Sequence, residues 1–395
     1  MKKRLNPALC VACAAMLALS FAVFYAVALR PSSDLSIHAT WAAEGDFTQP
    51  RSFLHHGMHP LWHALVALVM LLGVPVKVSA ALVTALCKAA ELALLYAVAQ
   101  SVLGEKAKRG TALLCALCAS LVSALCLPWF NPTVYIGVGS PNTWHSPTQM
   151  IAMLFMLVCV PMTARCYDAF ERRLPEEGER AMLPWKNVAW LAALLLVSLL
   201  AKPTFMQAFL PAACLFFLAQ WIRHPKNSRY FGQMMLAALP SVLFMVFQYL
   251  YYFGIIVPSQ GSMTLLVTGD KAREVLVSLL LIQAFPLFAL LTDRREKGTL
   301  LTLTVALDAV GVAEQLLLSE TGRRAADGNF GWAMMGGALM LWAVMLPRFV
   351  GQFQAREKRA PLMTARWAGG FALLLWHLAS GVYYIVYLLG TTNSL

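Results

Sequence analysis

Asp34, His38 and Trp41 stand four and three residues apart in the stretch "DLSIHATW". If that stretch is helical the three side chains share one face, placing a carboxylate, an imidazole and an aromatic plane together. Pro31-Ser32-Ser33 offers an N-cap and Gly45 a stop, so a short helix is predicted from Asp34 to Glu44. A carboxylate in a cleft can take a proton from an incoming hydroxyl, best if partial burial lifts its pKa towards the working pH. The alternative is that Asp34 caps the helix N-terminus and His38 solvates it.

Residues 34–60 hold three of the nineteen acidic residues and four of the eight histidines. His55, His56, His59 and His63, with Asp34 or Glu44, could supply nitrogen and oxygen ligands to a divalent cation. Pro60 breaks any single helical histidine array and no spacing is diagnostic, so no metal site is assigned and a divalent cation is the one cofactor option. Hydrogen bonding to an acceptor or a lipid phosphate is the stronger use of the cluster.

A second polar stretch, "WFNPTVYIGVGSPNTWHSPTQ", has no ionisable side chain of note except His145 and is rich in small polar residues and aromatics. Asn142 and His145 could bond sugar hydroxyls while Trp144 stacks on a pyranose face; an interfacial tryptophan belt with polar turns is the alternative. Asn329 beside Trp332, with Glu320 nearby, repeats this chemistry on a smaller scale.

These residues need a scaffold, and composition identifies its class. The chain of 395 residues is 59% apolar and 13% charged, with mean hydropathy +0.65, against roughly 25% charged residues in a soluble domain. An all-α integral membrane protein follows, a single polytopic domain over 1–395. Apolar runs at 8–29, 78–103, 111–128, 148–166, 188–201, 204–222, 231–257, 274–292, 299–318, 330–347 and 367–389 make about eleven spans. The apolar stretch 60–73 would rise only ~21 Å as a helix, too short for a ~30 Å core, and is read as interfacial within an outer loop covering 30–77.

With the N-terminus cytoplasmic, eleven spans place 22 of the 31 Lys and Arg residues on the cytoplasmic side and the C-terminus outside. Counting 60–73 as a span would invert that bias. The net charge of +12 thus reflects topology, and the thin spread of basic residues argues against nucleic acid as a partner. The first run, at 22 residues, is too long for a cleaved signal core. All nine cysteines fall in these runs and read as small packing residues.

Lys88, Glu91, Asp308 and Glu314 lie within predicted spans. Lys88 and Glu91 are three apart and can neutralise each other. Asp308 has no such neighbour, which keeps open a proton-coupled transporter or lipid-linked-sugar flippase as the competing function. A non-catalytic assembly partner in envelope synthesis is a third class.

The basic N-terminus, one span, an outer loop with an early aspartate, the "HPLWH" interfacial helix and a second span ending in a basic turn resemble the polytopic GT-C-type membrane glycosyltransferases. The resemblance covers best the first 130 residues. It implies transfer of a sugar from a polyprenyl-phosphate donor, at the outer face of an inner or plasma membrane, to a glycan, lipid or protein acceptor. It implies Asp34 as the catalytic base, with His38 beside it; Glu44 or Asp46 could take the role instead, since the family's acidic pattern varies. Trp41 and His59 would contact sugar or acceptor. A phosphate donor calls for outer cations, which the charge bias makes scarce: Lys202, in a minimal turn before Pro203, and Arg323 and Arg324 are the candidates. Snorkelling to membrane lipid headgroups is their alternative use.

Overall fold

A computed structural model describes residues 6–54, 56, 59–104, 109–132, 138–251, 263–321, 328–355 and 361–391. Arg323 and Arg324, and His55, lie outside the described residues.

The chain is an all-α membrane protein. Thirteen α-helices run in order: α1 (Pro7–Ala28), α2 (Asp34–Ala43), α3 (Leu61–Met70), α4 (Val76–Leu103), α5 (Arg109–Leu121), α6 (Pro147–Glu177) and α7 (Trp185–Ala201). They continue with α8 (Thr204–Arg223), α9 (Ser228–Tyr251), α10 (Gly269–Thr292), α11 (Thr299–Leu317), α12 (Gly331–Ala355) and α13 (Pro361–Gly390). Among the described residues, nine of these helices are long and apolar enough to cross a membrane, and α5 and α7 are shorter apolar helices. Each of the eleven predicted runs therefore overlaps a helix, two of them, α5 and α7, being short. The stretch 60–73 becomes the ten-residue α3, too short to span.

The run at 111–128 is helical over its first part alone. After Leu121 the helix stops, and several backbone groups of the segment that follows bond to neighbouring helices. Ser123 N donates to the His377 carbonyl at 3.2 Å and Leu125 N to the Leu281 carbonyl at 2.8 Å. Cys126 N bonds Ser380 Oγ, and the Asn131 amide bonds both Leu125 O and Leu127 N. Non-helical backbone at this depth is tolerated because α10 and α13 supply partners. An apolar run cannot reveal this, because hydropathy registers side chains and not the destination of backbone bonds.

The helix α12 lies at the centre, its apolar window 89% buried, and it packs on α4, α5, α6, α8, α10 and α11. Small residues let α11 and α12 approach: a Cβ on Gly337 would come within 2.8 Å of Asp308 Cα, and one on Gly311 within 2.9 Å of the Ala333 backbone. A two-stranded antiparallel ladder, β1 (Met263–Leu265) with β2 (Leu318–Glu320), ties the approach to α10 to the end of α11, an element not expected from sequence.

The polar residues at the helix termini sort to two ends, with α6, α8 and α12 beginning at the same one. One end holds Arg348 and Gln352 bonded to Asp293, Thr299 Oγ1 bonded to Asp168, and Lys226 paired with Glu179. The opposite end carries α2, α3, the 138–146 segment, the α7–α8 turn and the start of α12.

Candidate active site

The N-terminal turn of α2 is built from local bonds. Ser33 Oγ accepts from Ser36 N at 3.1 Å while donating to the Val27 carbonyl at 2.8 Å, fixing the angle between α1 and α2. Leu35, Ala39 and Ala42 bury one face of α2, and this sets the direction of the Asp34 and His38 side chains. His38 Nε2 lies 3.3 Å from Asp34 Oδ1, and the His38 ring meets Trp41 edge-on at 4.6 Å between centroids. The predicted helix and its shared face are thus present, with the last helical residue Ala43 and Glu44 as C-cap.

α3 is pinned to α4 by Trp62 Nε1 donating to Thr84 Oγ1 at 3.2 Å. This seats His63 against α2, where its Nε2 lies 2.8 Å from His38 Nδ1. His59 approaches both rings, 6.4 Å from His38 and 6.2 Å from His63. Trp41 stacks flat on His56 at 4.7 Å, and His56 Nε2 is 2.6 Å from Glu44 Oε2. Trp41, Ser52, Phe53, His56, His59 and His63 border a small open recess.

The three candidate carboxylates therefore have different environments. Asp46 closes a turn, its Oδ1 accepting from Thr48 N and Oγ1 at 2.8 Å, and Glu44 is an exposed partner of His56. Asp34 alone of the three feels Lys202 and His145 as well as His38. Burial pushes its carboxyl up, but the His38 hydrogen bond and the charges of His38, Lys202 and His145 hold it well below the usual carboxylate range. The upward shift that would best suit a base is therefore not present at Asp34, which is held as a carboxylate.

The neighbouring imidazoles are held neutral. Burial, reinforced by His38, lowers the His63 pKa to about 3. Burial also lowers His145 to about 4, with Lys202 adding to the fall and Asp34 opposing it. His59 is driven well below its ordinary value by burial and by its neighbours His63 and His38.

Lys202 Nζ stands over Trp332, 4.1 Å from the ring centroid, and the His145 ring is 5.8 Å from the same indole. His145 Nδ1 is 2.9 Å from Tyr384 Oη. Gln149 bonds the Trp332 carbonyl and accepts from Thr204 Oγ1 at 2.9 Å, linking α6, α8 and α12 beneath the cation. A small apolar gap of about 10 Å³, bordered by Met153, Met156, Phe205, Leu307 and Trp332 among others, lies at this point.

Asn142 and Trp144 depart from the expectation of a sugar-facing pair, because both are fully enclosed. Lys88 Nζ donates to Asn142 Oδ1 and to Glu91 Oε1, each at 2.6 Å, and stands 4.8 Å from the Trp144 ring. The Asn142 amide donates to the Ala119 and Val122 carbonyls. Their work is to fix the segment that carries His145. Asn329 Nδ2 donates to Glu320 Oε2 at 2.7 Å, so these two hold each other.

Sequence reasoning did not place Gln149, Thr204 or Tyr384 in the site; all three look like ordinary helix residues, and no spacing links them to α2. Among the described residues, no three His, Cys, Asp or Glu side chains group as a metal site.

No protein-family model matches the chain, and no curated protein sequence does. Among solved structures, the arabinofuranosyltransferase AftD from Mycobacteria, determined by single-particle cryo-electron microscopy, is similar at a TM-score of 0.50 and 19% identity. The likeness covers 97% of this chain and 27% of that one, so the chain spans little more than a quarter of AftD's length. At that identity the likeness concerns fold alone: the chain shares a polytopic, all-α membrane architecture with the matching part of AftD.

Proposed function

We propose that the protein is a membrane glycosyltransferase that moves a sugar from a polyprenyl-phosphate donor to a hydroxyl-bearing acceptor at the end of the bundle holding Asp34. The observation that carries this reading is that the Asp34 carboxylate lies within electrostatic reach of the Lys202 cation, at the end of the bundle that also holds the recess bordered by Trp41, His56 and His59. The GT-C-like fold supports it.

In this reading Lys202 holds the donor phosphate as a point charge, with Trp332 limiting where the ammonium can go. The acceptor oxygen attacks the anomeric carbon, the bond from that carbon to the phosphate oxygen breaks, and Asp34 receives the acceptor's proton. Being ionised in the resting protein, Asp34 is ready to accept a hydrogen bond from the hydroxyl and orient it before transfer. The positive-inside bias of the short loops supports placing this end on the non-cytoplasmic face. The acceptor is a glycan, lipid or protein hydroxyl.

The test is transfer in reconstituted vesicles, beginning with a polyprenyl-phosphate arabinofuranose donor because AftD's name specifies that sugar. Asp34→Asn, with nearly the same volume, should lower the rate ~10²–10⁴-fold at equal protein level. Full activity in Asp34→Asn would remove the carboxylate mechanism.

A further inference from the structure

The end of the bundle opposite Asp34 gathers cations around one carboxylate. Asp293, the C-cap of α10, has a side chain only 2% exposed. Its oxygens are occupied: Oδ2 accepts from Arg348 Nε, and Oδ1 accepts from the Gln352 amide and from Arg295 N at 3.0 Å. The Arg295 side chain, 39% exposed, keeps its Nε 3.8 Å from the same Oδ1, and one of its amino groups donates to the Arg348 carbonyl. Arg366, on α13, donates to Gln352 Oε1 at 2.8 Å and lies over Trp367, 4.4 Å from the ring centroid. Three guanidiniums from three elements therefore share one carboxylate whose acceptor positions are already taken. The exposed Arg294 adds a fourth positive charge within electrostatic reach of Arg366.

That arrangement is electrostatically unbalanced. Burial, then the charges of Arg348 and Arg366, push the Arg295 pKa below its ordinary value, with Asp293 opposing. Elsewhere at this end basic residues pair singly, Lys226 with Glu179 at 3.4 Å and Arg173 with Glu177 at 3.8 Å. The sequence carries the same contrast, since 293–297 and 348–366 hold eight Lys or Arg against three Asp or Glu. The positive-inside bias accounts for basic residues in the loops here, but not for guanidiniums gathered from α12, α13 and the α10–α11 turn around one carboxylate. Holding like charges within reach of one another costs free energy that a bound anion offsets.

We propose that Arg295 and Arg366, with Arg294 beside them, bind a phosphate group, that of an anionic phospholipid headgroup. The planar fork of a guanidinium matches two phosphate oxygens, and the Asp293–Gln352–Arg348 frame fixes where two such forks stand. The depth also suits a headgroup. Arg348 lies roughly two turns before the end of α12 and Arg366 roughly one turn after the start of α13, so the cluster sits inward of the connecting loop. Leu291, two residues before Asp293, is 86% exposed, so apolar surface for an acyl chain adjoins the cations. Basic pockets between helices at this level of a membrane protein recognise lipid phosphates in this way.

The test is lipid retention by the full chain in detergent micelles carrying equal phosphatidylglycerol and phosphatidylcholine, read by native mass spectrometry. Phosphatidylglycerol should be retained in preference, and Arg295→Gln with Arg366→Gln should lower its retention about tenfold. Glutamine can keep one hydrogen bond at each position. Arg172→Gln with Lys186→Gln removes the same charge from exposed positions at the same end and should change retention by less than about twofold. Equal losses in the two double variants overturn the site in favour of a diffuse charge effect, and so does the absence of any preference for phosphatidylglycerol. Millimolar inorganic phosphate, against sodium chloride of equal ionic strength, tests the source. Retention unaffected by phosphate is expected; displacement of the lipid by phosphate overturns the headgroup and assigns the site to the free anion. Should the first double variant not fold, Arg294→Gln, at an exposed position, should lower retention about threefold, and unchanged retention there overturns the proposal.

Discussion

The ammonium of Lys202 stands 4.1 Å from the centre of the Trp332 ring, joining the turn between α7 and α8 to the first residues of α12. Substitution by methionine keeps the apolar stem against the indole and removes the charge. Lys202→Met should raise the donor KM about tenfold or more while kcat changes less, as read from initial rates in vesicles. A fall confined to kcat would place Lys202 with the chemistry and not with the phosphate.

Acidification should weaken the fold through the histidines before it reaches the carboxylate. His59, His63 and His145 have folded pKa values below an unfolded value near 6.5, so below that pH the unfolded chain binds more protons than the native one. Stability is then lost progressively as pH falls from about 6.5 towards the folded values of about 4 and 3. Asp34, with its folded pKa lowered, contributes stability above its unfolded value near 4 and loses it as pH falls further. The apparent Tm in nanodiscs should decline between pH 7 and 5, and His145→Gln should flatten part of that decline.

Lys88 and Glu91 are both fully buried, and each is the other's ionic partner. Lys88→Met leaves a buried carboxylate without its cation and releases Asn142 from one of its three bonds. A loss on the order of 3–5 kcal/mol is expected, seen as a lower Tm, and the double variant Lys88→Met with Glu91→Gln should recover part of it. If the double variant is no more stable than the single one, the charge pairing is not what matters there.

The eleven apolar runs and the short helix bearing Asp34 were legible because a 3.6-residue period and a capping serine act locally. The Lys88–Glu91 pair was legible for the same reason, being three residues apart. The partners of His145 were not: Tyr384, Trp332 and Lys202 come from three other parts of the chain, and nothing local to "NTWHS" records which helix ends will meet it. Asn142 was misread because an amide in an apolar loop looks the same whether it faces a ligand or a buried lysine. Burial, which raises the Asp34 pKa, was half of the physics; the hydrogen bond from His38 and the charges of His38, Lys202 and His145 together outweigh it.

Gly381 on α13 lies against the end of α5, where an added Cβ would come 1.7 Å from the Leu121 carbonyl oxygen. That contact is with backbone, so side-chain rotation cannot relieve it. Gly381→Ala should push α13 from the 122–127 segment, with a Tm fall of several degrees and faster backbone exchange at Ser123 and Leu125.

Sidedness can be read directly by labelling single cysteines in a background lacking the nine native ones. Thr48→Cys and Glu179→Cys, both at exposed positions, should react with an impermeant reagent from opposite faces, with position 48 labelled from outside the cell. Labelling of both from one face would invalidate the eleven-span alternation.

The stretch from Val122 to Leu127 has implications for how the protein is made. Several of its amides and carbonyls find partners on α10 and α13, which are synthesised more than a hundred residues later. An unpaired backbone group in hydrocarbon costs several kcal/mol, so this segment cannot settle into lipid when it first leaves the ribosome. It must wait in a hydrated or chaperoned environment until the last helix arrives. Biogenesis therefore has a late committing step, and a nascent chain halted before α13 should remain accessible to protease at residues 122–127.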